Sequence, residues 1–91
     1  MGDKQKLLVD KAKSGKILAM YELIAQGADP FIFDQNGKNA LQYAVESDPI
    51  KAYILLDDLR LIYTSPAQQE IIKHYSKLAS PSVKTSITHI K

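Results

Sequence analysis

Apolar residues recur at helical spacing along most of the chain, separated by short polar segments that contain glycine or proline. This pattern predicts five helices, over residues 3–14, 17–26, 40–47, 49–58 and 66–79. Gly15 and Gly27 are typical of the residue that follows a helix C-terminus. Asp48 and Ser65 are typical N-cap residues, and each is followed by a proline, which is favoured at the first helical position. The sequence therefore predicts an all-α fold, with residues 59–64 as an apolar connector.

The longest segment without a helical pattern lies between the second and third predicted helices, and we call residues 28–39 the finger. Pro30 blocks helix formation and biases the residue before it towards an extended backbone. Residues 34–37 read Asp-Gln-Asn-Gly, a β-turn signature with Asp first and Gly last. Residues 31–33 and Lys38 flank this turn and are placed to pair as a short hairpin. The finger is therefore predicted to be a β-turn with a hairpin around it.

The last twelve residues, 80–91, form a polar tail rich in Ser and Thr. Val83, Thr85, Ile87 and His89 alternate with other residues, which is the period of a short strand. A frayed terminus is the other interpretation, and it is favoured because chain ends are often poorly ordered.

The spacing of these elements is similar to that of the ankyrin repeat, whose period is about 33 residues. Residues 27–29, Gly-Ala-Asp, match the motif that closes a repeat, and residues 39–42 stand where the family has Thr-Pro-Leu-His. The other positions that fit the family pattern are Asp34, Gly37, Leu41, Ala44, Leu55 and Leu56. The chain departs from the pattern at several positions. Lys11 stands where the family prefers a small residue, Asp48 and Pro49 replace the family's Gly-His turn, and no second Gly-Ala-Asp follows Leu59.

The resemblance implies an ankyrin-like helix-turn-helix stack, an α-solenoid that carries one finger. Repeat units bury their apolar faces on their neighbours, so a stack of two needs caps at its ends. The implied ankyrin-repeat domain spans residues 1–79, with a first repeat at about 3–33, a second at about 34–59 and a capping helix at about 65–79.

Family members of this kind usually bind other proteins, so the resemblance implies a non-enzymatic protein-protein interaction module. Partners usually meet the finger and the inner face of the first helix of each repeat. By position, the implied contact residues are Lys13, Ser14, Phe33, Gln35, Asn36, Lys38, Glu46 and Ser47. Phe33 has two interpretations: an outward aromatic anchor for a partner, or a core residue folded under the finger against Tyr43. Phe31, by contrast, is expected to point inward.

The composition is that of a globular domain without disulfides. The chain is 45% hydrophobic and 24% charged, which is ordinary for a globular domain. It has no cysteine, so disulfides and thiolate metal sites are excluded and a reducing, cytoplasmic location is expected. No apolar run approaches the roughly 20 residues of a membrane span, and no signal peptide is visible, so no membrane association is expected.

Short ankyrin proteins also occur as bacterial effectors delivered into a host cell, and the polar tail is compatible with such an export signal.

The net charge of +2 is unevenly distributed along the chain. Residues 1–59 carry seven lysines and nine carboxylates, whereas residues 60–91 carry five basic residues and one carboxylate. The basic residues of the second segment are Arg60, Lys73, Lys77, Lys84 and Lys91. They permit a nucleic-acid partner, but a solvated basic end is the favoured interpretation, so nucleic acid is an unlikely partner. A homodimer that buries an uncapped stack end is the main alternative to a binding module.

The sequence offers few candidates for a catalytic or metal-binding site: two histidines, one pair of adjacent aspartates and one acidic turn. His74 and His89 have no neighbouring nucleophile, so they are interpreted as surface residues and no catalytic residue is proposed. Asp57 and Asp58 are adjacent on a helix and therefore diverge, which favours a solvated pair at the helix end. The Asp-Gln-Asn-Gly turn lacks the remaining oxygen ligands of a calcium loop. No metal site and no cofactor are expected.

Overall fold

The computed structural model describes residues 2–80, and this part of the chain is all-helical. Its helices are α1 (Gly2–Lys13), α2 (Ile17–Ala25), α3 (Ala40–Ser47), α4 (Pro49–Ile62) and α5 (Pro66–Ala79). The predicted all-α class is confirmed, and four of the five helices agree with the predicted bounds within one residue. The tail residues 81–91, for which a short strand or a frayed end was considered, lie outside the described residues.

Three helices begin at the capping residues that the sequence contains. The side chains of Asn39, Asp48 and Ser65 each accept a hydrogen bond from the backbone amide three residues further on. Pro49 and Pro66 then occupy the first helical position, where no amide hydrogen is needed. These caps fix the first residues of α3, α4 and α5 locally, before any packing is considered.

The first two helices end in the same way. Gly27 adopts φ 107°, its amide donates to Ile24 O at 3.0 Å, and the amide of Ala28 donates to Leu23 O at 3.0 Å. This pair of bonds is a Schellman motif, which needs a left-handed residue and therefore favours glycine. Gly15 ends α1 with the equivalent pair of bonds. The chain can therefore reverse sharply after α1, and it enters the finger in a fixed direction after α2.

Helix α4 is longer than the sequence predicted. The expected end near Asp58 is wrong, because the helix continues to Ile62. Leu59 is buried and extends the core-facing row of α4 by one turn, so burial favours helix there over a connector. The predicted connector, residues 59–64, is reduced to residues 63–65.

The five described helices form two layers. Helix α3 packs between α1 and α5 in one layer, while α2 packs on α4 in the other. The hydroxyl of Ser47 donates to Ala12 O at 2.6 Å, which joins the last turns of α3 and α1, so these two helices run in the same direction. The core fills the space between the layers, and its largest fully buried apolar side chains are Leu8, Met20, Leu41, Leu55, Leu56, Leu59 and Ile72.

Candidate functional site

One carboxylate organises the tip of the finger. Asp34 Oδ1 accepts from the amides of Asn36 at 2.8 Å and Lys38 at 3.1 Å, and its Oδ2 accepts from the hydroxyl of Tyr43 at 2.5 Å. The Tyr43 bond is the main cause that holds the pKa of Asp34 below its ordinary value, with the two amide donors also contributing. Asn36 Nδ2 also reaches the Tyr43 oxygen at 3.4 Å. The tip is therefore fixed to α3 through a buried tyrosine.

The predicted turn is present, but the hairpin around it is not confirmed. The amide of Gly37 donates to Asp34 O at 3.0 Å, which closes the turn over residues 34–37. The amide of Asp34 donates to Lys38 O at 2.8 Å, and no strand occurs anywhere in residues 2–80. The physical reason is that the Asp34 side chain, and not a facing strand, accepts the amides that follow the turn.

The base of the finger is held by helix α1 and by an aromatic contact. Gln5 Nε2 donates to Asp29 O at 2.7 Å, and the amide of Asp29 donates to Gln5 Oε1 at 2.9 Å. Phe31 turns inward as expected, and its ring meets that of Tyr63 edge-on, with centroids 4.9 Å apart. Pro30 is buried beside them. The finger therefore leaves the core from a fixed base.

Phe33 lies between these two fixed regions and points away from the core. Its side chain is 59% exposed, whereas Tyr43, against which it was considered to fold, is 8% exposed. The core interpretation of Phe33 is therefore wrong, and the outward position is what the structure has. Ile32 beside it is 50% exposed, so the finger presents two neighbouring large apolar side chains to solvent.

The exposed side of the finger and helix α1 together form a groove of about 470 Å³. Helix α1 contributes one side and residues 32–36 contribute the other. The side chains that line the groove include Lys6, Val9, Asp10, Lys13, Ile32, Phe33, Gln35 and Asn36. Four implied contact residues, Lys13, Phe33, Gln35 and Asn36, are thus brought together in one place.

The other four implied contact residues do not line this groove. Lys38 and Glu46 form an ion pair at 3.2 Å, and the ammonium of Lys38 lies 5.5 Å from the centre of the Tyr43 ring. Ser47 is occupied by its bond to α1, and the hydroxyl of Ser14 donates to Asp10 O at 3.1 Å at the end of that helix. Ser14 and Ser47 therefore stabilise helix ends.

On the α1 side of the groove, the sequence interpretation included Lys13 and missed the other lining residues. Lys6, Val9, Asp10 and Lys13 recur at intervals of three, one and three residues, so they share one face of α1. This stripe was a signal in the sequence. The repeat pattern does not predict it, because that pattern assigns contacts to the finger and to the ends of the first helix of each repeat.

The acidic pair at residues 57 and 58 differs from its prediction. Asp57 is exposed and forms an ion pair with Arg60 at 3.2 Å, as a solvated residue can. Asp58 is half-buried and accepts a hydrogen bond from the hydroxyl of Tyr21 on α2, so the predicted solvated pair is wrong for this residue. Burial and the Asp58 carboxylate raise the pKa of Tyr21 above its ordinary value. Asp58 therefore joins α4 to α2.

The remaining candidates for chemistry and charge lie on or beyond α5. His74 is exposed, and its ring lies edge-on to that of Tyr75. Lys73 and Lys77 are also exposed on α5, while Lys84, His89 and Lys91 lie outside the described residues. Within residues 2–80 no cluster of three or more metal-ligating side chains occurs. Every described helix is too short or too polar to cross a membrane.

Comparisons with known proteins give no match, whether with family models, with curated proteins or with solved structures. The fold class of the described residues is all-α.

Proposed function

We propose that this chain is an ankyrin-like repeat module that binds a segment of another protein in the groove between α1 and the finger. Three features support the proposal. Consecutive helices pair as α1 with α2 and α3 with α4, and a long loop separates the two pairs. The loop carries the Gly-Ala-Asp and Asp-x-x-Gly residues of a repeat boundary. Helix α5 then covers the open side of the second pair, as a cap does.

The observation that carries the proposal is the exposure of Phe33 on a loop that is fixed at both ends. Clamps at Asp29 and Asp34 hold the backbone on either side of the ring. A partner that covers the ring gains apolar contact area without having to order the loop first, and such preorganised aromatic residues dominate binding energies. Phe33 is therefore the proposed anchor residue.

The charges of the groove indicate what kind of segment fits. The ion pairs within residues 2–80 are those of Lys38 with Glu46 and of Arg60 with Asp57, so Lys6 belongs to neither. The ammonium of Lys13 lies 5.0 Å from the centre of the Tyr43 ring, so Lys6 is the lysine that is better placed to bind a partner's carboxylate. Asp10 lies between these lysines on the same face and is placed to accept an amide hydrogen. We infer an extended partner segment that combines an apolar side chain, for Phe33 and Ile32, with an acidic residue.

The test compares the wild-type chain with Phe33→Ala and Leu78→Ala as baits. Leu78 is 61% exposed on α5, so it matches Phe33 in exposure but lies outside the groove. A protein captured by the wild type is purified and titrated calorimetrically against all three chains. We expect Phe33→Ala to weaken binding by about 30-fold or more, as for a hot-spot residue, and Leu78→Ala to leave it unchanged. Equal affinities for the two variants would contradict the proposal.

A non-enzymatic role and a cytoplasmic location are part of this proposal. The first rests on the resemblance, since interaction is what implied repeats of this kind usually provide. The second rests on the sequence, which contains no cysteine to form a disulfide.

A further inference from the structure

Helix α4 is apolar on two opposite sides. One side packs into the core through Ala52, Leu55, Leu56 and Leu59. The other side carries Ile50, Ile54 and Leu61, which are 66%, 56% and 68% exposed. An apolar side of a helix is normally buried against a neighbour, so the outward side of α4 indicates a missing neighbour.

The outward residues have the spacing of a helix-helix seam. Ile50, Ile54, Asp57 and Leu61 are four, three and four residues apart, which is the alternation of core positions in a coiled coil. We call these four residues the outer seam. Its single charge, on Asp57, is already paired with Arg60 at 3.2 Å, so a helix packed on the seam does not leave that carboxylate without a counter-ion.

We propose that a second copy of this chain packs on the outer seam, with the two α4 helices antiparallel. In this arrangement Ile50 lies against Leu61 of the second copy, and Ile54 lies beside Asp57 of the second copy. A two-fold axis through the centre of the seam makes both contacts twice, which is how a self-complementary interface works. A parallel arrangement instead places the two Asp57 carboxylates side by side, where they repel each other.

The residues that flank the seam favour a second copy as the occupant. On one flank Lys51 comes opposite Asp58 of the second copy, so a positive side chain meets a negative one. On the other flank Tyr53 comes opposite Arg60 of the second copy, which is a favourable cation–π combination. The same surface therefore supplies both members of each pair.

Sedimentation velocity of the full chain, from micromolar to millimolar concentration, tests the proposal. We expect the wild type to dimerise and Ile54→Glu to weaken the dimer at least about a hundredfold, since each change enters the interface twice. Leu78→Glu is the control, because Leu78 is equally exposed but lies on α5. A wild type that stays monomeric at millimolar concentration, or an Ile54→Glu chain that dimerises as well as the wild type, overturns the proposal. So does a monomer that cosediments with phosphatidylcholine vesicles through Ile54.

The orientation is tested by cross-linking, which is unambiguous because the chain has no cysteine. Chains carrying Ile50→Cys and chains carrying Leu61→Cys, distinguished by mass, are mixed and oxidised mildly. The antiparallel arrangement gives the mixed disulfide in excess over both like disulfides, whereas an excess of like disulfides rejects it. Phe33→Ala leaves self-association unchanged, so this inference and the proposed function can fail separately.

Discussion

Residues 26–39 and residues 63–65 each join one helix pair to the helix that follows it, and they differ in length and in what they expose. The first joins α2 to α3 and the second joins α4 to α5, and each is held by the side-chain amide of one glutamine. Gln5 holds Asp29 in the first connection. In the second, Gln69 Nε2 donates to Tyr63 O at 2.5 Å, and it also donates to Arg60 O at 2.8 Å in the last turn of α4.

The difference between them lies in what is left exposed. The long connection is fixed at its base and at its tip, and the segment between these points presents Ile32 and Phe33 to solvent. The short connection has no such segment, and it brings α5 directly onto α4. The two connections meet where Phe31 contacts Tyr63. A long connection that is fixed at both ends can therefore hold exposed apolar side chains in place, whereas the short connection only packs the next helix onto the preceding one.

The largest expected effect comes from the contact between the connections. Phe31→Ala removes a partly buried ring that packs on Tyr63, and we expect a loss of about 3 kcal/mol in the free energy of unfolding. Phe33→Ala makes the same chemical change two residues later at an exposed position, and we expect a change within about 0.5 kcal/mol. Urea unfolding of both variants measures the difference. Similar losses in the two would show that Phe33 is packed in solution.

The two glutamine clamps differ in which atoms they use. Gln69 donates twice through Nε2, so Gln69→Glu loses both bonds, and we expect a loss of about 2 kcal/mol. Gln5 donates once and accepts once, so Gln5→Glu keeps the bond from the Asp29 amide and loses the bond to Asp29 O. We expect this change to lower the free energy of unfolding by about 1 kcal/mol. Thermal and urea unfolding at neutral pH give this order. The reverse order would mean that the finger base depends more on its clamp than the short connection does.

The residues at which the two connections end are both N-caps, but their burial differs. Asn39 is fully buried, so Asn39→Ala loses a cap bond and leaves a void, at a cost of about 2 kcal/mol. Ser65 is exposed, so Ser65→Ala costs only about 1 kcal/mol.

Asn39 Nδ2 has no hydrogen-bond partner within residues 2–80. Asn39→Thr keeps the cap oxygen and removes this donor, so calorimetry should show no loss of stability relative to the wild type.

Acidification acts on the tip of the finger through Asp34. Its pKa is lowered in the folded chain from an unfolded value of about 3.9, chiefly by the Tyr43 hydroxyl. Its contribution to stability is therefore fully present above the unfolded pKa and is lost as the pH falls through the folded pKa. We expect Tyr43→Phe to be less stable than the wild type at neutral pH and to lose less stability between about pH 5 and pH 2. Parallel urea midpoints for the two chains across this range would contradict the role of Tyr43.

The helices follow closely from the sequence because local chemistry defines them. The capping residues Asn39, Asp48 and Ser65 and the glycines after α1 and α2 act within four residues of their own positions. The end of α4 was missed because no local signal marks it. The burial of Leu59, which extends that helix, depends on packing against residues far away in the chain.

The site was predicted in part for the same reason. The turn at Asp34 and the inward position of Phe31 follow from residues close in sequence. The groove depends on contacts between α1 and the finger, such as that of Gln5 with Asp29, which are separated by more than twenty residues. The periodic stripe on α1 therefore gives no indication of which segment packs beside it. The repeat pattern also predicted Ser14 and Ser47 as contact residues. In the structure the hydroxyls of both donate to backbone carbonyl oxygens of α1.

The central claim is that the finger is held in one conformation that presents Phe33. Native-state hydrogen exchange measures this directly, residue by residue. The amides of Asn36 and Lys38 donate to the Asp34 carboxylate, whereas the amide of Gln35 has no acceptor within residues 2–80. We expect the first two amides to exchange far more slowly than that of Gln35, and Tyr43→Phe to accelerate them. Equal and fast exchange at all three positions in the wild type would show that the finger is not preorganised and would contradict the account.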